Sequence, residues 1–200
     1  QIAIVGMAGS YPGAENVAEM WTMFEQGRSG AGELPEGRWT EYADDPEMSR
    51  RMAEAQLTGG YIEDIASFDA EFFGLSPLEA ANMDPQQRIM LTLAWEALED
   101  AGIPANTLRG TDTGVFVGSS NNDYGMLIGA DPAEAHPYAL TGNSTAVVAN
   151  RISYAFDFRG PSVALDTACS ASLVAIHQAV RSLRDGDSTV ALAGGVNLLS

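Results

Sequence analysis

The chain contains no lysine: every one of its ten basic residues is an arginine. That excludes a Walker-type phosphate lysine and Schiff-base chemistry from these 200 residues. Cysteine is almost as scarce. The single one, Cys169, cannot form an internal disulfide. Positive charge is short overall, because ten basic residues face twenty-seven acidic ones for a formal charge of -17. That sign is wrong for a nucleic-acid or anionic-membrane surface, so neither partner is expected. No apolar run reaches the roughly 20 residues that a membrane-spanning helix needs. No basic n-region with a following apolar h-region opens the sequence. These absences point to a cytoplasmic location. With 46% hydrophobic and 18% charged residues, there is enough apolar material for one well-cored domain.

Ile2 to Val5 is a short apolar run ending on Gly6, ahead of a turn-rich stretch with Gly9, Pro12 and Gly13, and it predicts a buried strand. Val17 to Gln26 predicts a helix. Residues 28 to 75 are less periodic and carry much of the acid, including Glu41, Asp44, Asp45 and Glu47, as a solvated surface region would. Ser76-Pro77-Leu78-Glu79 has capping-box spacing with proline at the first helical position, and Asp84-Pro85 opens a second helix in the same way. From there Met90, Leu93, Ala94, Ala97, Leu98 and Ala101 recur at steps of three and four until Gly102 and Pro104 end the run. Strands are expected over Val115 to Val117, Ser162 to Leu165 and Thr189 to Ala193. Helices are expected over Thr145 to Tyr154 and 169 to 184. That alternation implies an α/β sheet. The chain stops at Ser200, just past Gly194-Gly195 and without a covering helix, and reads as cut before a second half.

The segment SVALDTACSASLVAIHQAVRSL sets Cys169 between an apolar strand and a long helix, where free backbone N–H groups and the helix dipole favour a thiolate. A lone cysteine is in general an inert small hydrophobe. The strand-turn-helix context narrows the odds without reversing them. After Cys169, the residues Leu173, Val174, Ala175, Ile176, Ala179, Val180 and Leu183 leave only a narrow polar stripe, so the helix is expected to be buried on most sides. His177 lies eight residues on, about 12 Å along the same helix. It is read as a structural histidine that cannot touch the sulfur, and His136, beside Pro132 and Pro137, as a loop residue. No catalytic base is visible. Gly6, Gly9 and Gly13 do not have dinucleotide-loop spacing, and Met83 and Met90 are read as core filler, so neither a cofactor nor a metal site is expected.

DTACSAS followed by LVAIHQAVRSLRDGD and ALAGGVN resembles the active-site segment of β-ketoacyl synthases in type I polyketide synthases. Four further segments agree in order: IAIVGMAGSYPGA, FFGLSPLEAANMDPQQRIMLTLAWEALEDAGI, TGVFVGSSNNDYG and TGNSTAVVANRISYAFDFRGPSVALDTACS. Together they cover nearly the whole chain, and Met83 to Arg88 favours the modular polyketide branch. The chain departs at Ser10-Tyr11, where the family commonly has Arg-Phe, and at Ala171, where it commonly has serine.

The resemblance implies a thiolase-like fold, layered α-β-α-β-α, of which residues 1–200 supply the first half. The second half normally carries two histidines and a lysine. It also implies that Cys169 accepts an acyl chain from phosphopantetheine on an acyl carrier protein, ahead of decarboxylative condensation with a malonyl-type unit, in polyketide or fatty-acid biosynthesis. No cofactor would be bound by the domain itself. Expected partners are carrier-protein domains, an acyltransferase and other synthase domains in the same polypeptide, and a second copy in a homodimer. Thr141-Gly142-Asn143 and Met83 to Arg88 resemble segments near the family's acyl pocket, and equally suit packing and turns. The rival readings are a degradative or biosynthetic thiolase and a non-catalytic condensing-like domain.

Overall fold

The computed structural model describes residues 1–40, 44–129 and 136–199. Glu41, Pro132 and Ser200 lie outside the described residues. The chain divides into two compact units, Gly9–Ile65 with Leu199 and Gln1–Ala8 with Ala66–Leu198, where the composition suggested a single core.

In the smaller unit, α1 (Val17–Glu25) begins where the Asn16 side chain accepts the Glu19 N–H at 2.9 Å and the Glu19 carboxylate accepts the Glu15 N–H at 2.9 Å. The first bond satisfies an orphan donor of the helix, and the second ties the residue before the cap to the first turn. A two-residue antiparallel pair, β1 (Ala31–Gly32) and β2 (Gly59–Gly60), flanks α2 (Pro46–Glu54). Helix α2 lies in the acidic stretch expected to be a solvated surface region. It buries no residue and is built on charge: Arg50 bridges Glu47 and Glu54 at 2.8 Å each, and Arg51 meets Glu47 at 2.9 Å. Asp45 caps it.

The larger unit holds a three-stranded parallel sheet in the order β4-β3-β5, from β3 (Gly114–Ser119), β4 (Ser162–Leu165) and β5 (Ala191–Val196). Helices α3 (Pro77–Ala81) and α4 (Pro85–Asp100) start as predicted, the first capped by Ser76 and the second by Asp84. Then come α5 (Asp123–Gly129), α6 (Pro137–Gly142), α7 (Val147–Phe156) and α8 (Ala171–Asp185). Alternation along β3 assigns the layers. Val115 and Val117 join Met83, Met90, Leu91, Ile152 and Phe156 of the α4–α7 layer, while Phe116 packs with Ala175 and Ala179 of α8. The central strand is buried at all six positions, as a sheet covered on both faces requires.

Three expectations need correction. No strand forms over Ile2 to Val5, and Ile2, Ile4 and Val5 are exposed. Among the described residues the segment finds no ladder partner; just after it the chain meets α4, where a Cβ on Gly6 would fall 2.4 Å from the Ala97 carbonyl oxygen, and Met7 N–H donates to Asp100 at 2.8 Å. The last strand is displaced to Ala191–Val196, taking in Gly194 and Gly195, which had been read as following it. Helix α8 is not buried on most sides. Within residues 1–200 Ala171, Ala175, Ala179 and Ser182 are buried and Val174, Val180 and Leu183 half-buried, while Leu173 is 70% and Ile176 48% exposed. Ala171, Ala175, Ala179 and Ser182 recur at steps of four, four and three, so one narrow stripe of small residues lies close on the sheet, with Leu173 and Ile176 off it.

Candidate active site

Cys169 sits at the carboxyl end of the parallel sheet, where open α/β sheets bind their ligands. The helix does not begin at the cysteine, as the sequence suggested. A single 3-10 turn, Ala168–Ser170, follows β4, and α8 starts at Ala171. Ala168 takes φ +52, the left-handed region that a residue with a Cβ seldom adopts. Its N–H donates to Asp166 Oδ1 at 2.8 Å, and Ser170 Oγ donates to the Thr167 carbonyl at 2.8 Å. Within residues 1–200 Cys169 is free and exposed. Ser170 turns its hydroxyl back to Thr167 and no side chain caps α8, which leaves first-turn N–H groups of the helix without a side-chain acceptor.

Two glycines bring the head of α8 onto the sheet. Gly118 of β3 pairs with Leu165 of β4 on one side and Gly195 of β5 on the other. A Cβ at Gly118 would fall 2.5 Å from the Ala171 carbonyl carbon, and one at Gly195 would fall 2.6 Å from the Ser172 Cβ. Either would lift the helix and the cysteine turn with it. Sequence reading passed over both, although the Gly194-Gly195 doublet beside a helix of small residues was the available signal.

Neither histidine joins Cys169 in a dyad. His177 is exposed on α8 rather than packed in a core, and His136 caps α6, its Nδ1 accepting the Tyr138 N–H at 3.2 Å. Among the described residues no cluster of three His, Cys, Asp or Glu side chains could hold a metal. No helix among them is long and apolar enough to cross a membrane.

Met83 to Arg88 and Thr141 to Asn143 pack against each other. Asp84 N–H donates to the Gly142 carbonyl at 2.9 Å, and a Cβ at Gly142 would fall 1.9 Å from the Asn82 carbonyl oxygen. The buried Gln87 amide donates to the carbonyls of Thr141 at 3.0 Å and Gly142 at 2.8 Å. Its Oε1 accepts from Arg151 Nε at 2.8 Å, and Arg151 also meets Glu79 at 2.7 Å. Burial pushes the Asp84 carboxyl above the ordinary range, against the Gln86 backbone and side-chain N–H groups that pull it down.

Residues 1–200 match in full the family described as "Beta-ketoacyl synthase, N-terminal domain". The chain belongs to the β-ketoacyl synthase family. It is 48% identical over 200 residues to a phenolphthiocerol/phthiocerol polyketide synthase subunit of Mycobacterium tuberculosis, covering 99% of this chain and 11% of that protein. It is 45% identical to polyketide synthase PksN of Bacillus subtilis, covering 99% of this chain and 4% of that one. Among solved structures, the oxazolomycin ketosynthase domain OzmH KS7 of Streptomyces albus superposes with a TM-score of 0.84 at 45% identity, over 98% of this chain and 35% of that chain. The ketosynthase from module 6 of the Bacillus subtilis bacillaene synthase gives 0.82 at 39% identity, over 98% and 32%. The thiolase-like fold expected from the resemblance is therefore the fold of this β-ketoacyl synthase segment. It spans about a third of each of these ketosynthase chains and a small part of the curated synthases it matches.

Proposed function

We propose that this segment is the acyl-accepting half of a polyketide ketosynthase, with Cys169 as its nucleophile. The observation that carries the reading is an exposed cysteine on a turn at the carboxyl end of the sheet, ahead of a helix without a side-chain cap, in a chain of this family. The Cys169 thiolate attacks the carbonyl carbon of an acyl thioester carried on the phosphopantetheine of an acyl carrier protein. A new C–S bond to Cys169 forms as the old one breaks, the carrier leaves as a thiolate that takes up the proton Cys169 gave up, and an acyl-Cys169 thioester remains. A malonyl-type carrier thioester then loses CO2, and its α-carbon attacks the acyl carbonyl. The Cys169 thiolate departs, leaving a β-ketoacyl thioester two carbons longer on the carrier. Backbone N–H groups at the head of α8 are suited to the developing oxyanion.

The remaining machinery, two histidines and a lysine in the family pattern, is proposed to lie outside residues 1–200. The working protein is read as a cytoplasmic homodimer in which the Ser162 to Asp166 region pairs with its copy, β4 being an edge strand. Carrier-protein, acyltransferase and other synthase domains are its expected neighbours in one polypeptide. The test is to supply acyl- and malonyl-carrier substrates to the complete synthase protein and, separately, to residues 1–200, and to follow β-ketoacyl product by mass spectrometry. Product is expected from the complete protein alone. Equal rates from the two would overturn the division of the machinery, and acyl-CoA cleavage without condensation would overturn the reaction.

A further inference from the structure

We infer that Asp166 is a positioning residue for the Cys169 nucleophile, acting through the backbone of Ala168; the inference rests on the ketosynthase reading above. Within residues 1–200 Asp166 to Ser170 are all exposed, and the turn carries its own side-chain hydrogen bonds. Two sets are present. Ser170 Oγ donates to the Thr167 carbonyl at 2.8 Å and to Thr167 Oγ1 at 3.0 Å, which fixes the side of the turn that leads into α8. On the strand side the side-chain bond is that of the Asp166 carboxylate, which accepts the Ala168 N–H at 2.8 Å.

Ala168 is the residue that needs holding. Its φ of +52 is disfavoured for any residue with a Cβ, and neither Thr167 on one side nor Ala171 on the other shares it. Such a conformation persists only where its surroundings over-determine it, and here the charge-assisted bond from Asp166 selects it. Cys169 follows immediately, so the direction of its Cα–Cβ bond depends on the Ala168 dihedrals. Without Asp166 the turn relaxes toward ordinary backbone, the thiol leaves its place at the head of α8, and attack on a thioester slows although the sulfur is still present. Asparagine in place of Asp166 keeps an acceptor oxygen in the same position, whereas alanine does not. Glycine in place of Ala168 adopts positive φ without the Cβ penalty and needs the carboxylate less.

The experiment uses the complete synthase protein and measures the rate of Cys169 acylation from an acyl-N-acetylcysteamine thioester by intact mass, with thermal unfolding as a control. Asp166→Ala should acylate about tenfold more slowly or worse, the loss expected for one hydrogen bond to a charged group. Asp166→Asn should recover to within about threefold of the unsubstituted protein. In an Ala168→Gly background, Asp166→Ala should cost much less than it does beside Ala168, at equal melting temperatures. A uniform loss in both backgrounds, or an Asp166→Ala rate equal to the unsubstituted one, would overturn the assignment. An unsubstituted protein that fails to acylate would instead overturn the ketosynthase reading, so the two failures are told apart.

Discussion

Truncating Arg151 to alanine should be among the more damaging single changes in the larger unit. Arg151 is 9% exposed on α7 and bonds Gln87 Oε1 at 2.8 Å and Glu79 Oε1 at 2.7 Å. Its removal leaves the buried Gln87 oxygen without a donor, a loss of about 1 to 3 kcal/mol. It also strands the Glu79 carboxylate, and breaking a buried ion pair from one side costs about 3 to 5 kcal/mol. Because the Glu79 side chain keeps 21% of its surface in water, the combined cost should fall near the lower end, about 3 kcal/mol. The loss should spread to residues 141 to 144, whose carbonyls hang on the Gln87 amide that Arg151 orients. Urea unfolding of the complete domain measures it, with an unchanged m-value confirming that stability alone has moved. Removing Glu79 as well takes away the orphaned charge, so Arg151→Ala with Glu79→Ala should cost at least about 1 kcal/mol less than the sum of the single changes. Additive losses, or a single loss below about 1 kcal/mol, would refute this account of the network.

Gly142→Ala should destabilise by roughly 2 kcal/mol or more, because the new methyl would meet the Asn82 carbonyl at 1.9 Å and the Asp84 N–H bond to residue 142 would be displaced; chemical unfolding reads it directly. Asp84 gives a pH signature. Burial raises its folded carboxyl above 3.8, so the folded state holds the proton longer than the unfolded state, and the cost of charging it grows as pH rises through that window until it is fully present. Asp84→Asn still caps α4, so its stability relative to the unsubstituted protein should be better at pH 7 than at pH 4, and a pH-independent difference would contradict this. The complete domain should run as a dimer by light scattering at micromolar concentration, and Ala164→Pro, which removes an N–H facing the open edge of β4, should weaken that dimer.

The elements that carried local punctuation were legible in the sequence. Ser76-Pro77 and Asp84-Pro85 open α3 and α4 where expected, because a side-chain acceptor followed by proline satisfies and pre-shapes a helix start without tertiary help. Ser162 to Leu165 and Val115 to Val117 were readable as short apolar runs between turns. What failed depended on partners. Ile2 to Val5 has strand composition, yet a strand is defined by a neighbour that pairs with it, and among the described residues this segment has none. Helix α2 hid because its support is the Glu47, Arg50, Arg51 and Glu54 charges rather than an apolar stripe. In α8 the apolar residues were counted correctly, but which of them are covered depends on the close fit of Ala171, Ala175 and Ala179 over the sheet. At the site, the position of Cys169 was legible from its strand-turn-helix setting. The positive φ of Ala168 and the bond from Asp166 were not, since alanine carries no sign of left-handed backbone.

The central claim, that Cys169 is the residue that takes the acyl chain, is tested most directly by incubating the complete synthase protein with an acyl thioester and mapping the adduct by peptide mass spectrometry. One acyl group per chain is expected on the peptide containing Cys169, and none on Cys169→Ala under the same conditions. An adduct elsewhere, or one that survives Cys169→Ala, would contradict the account.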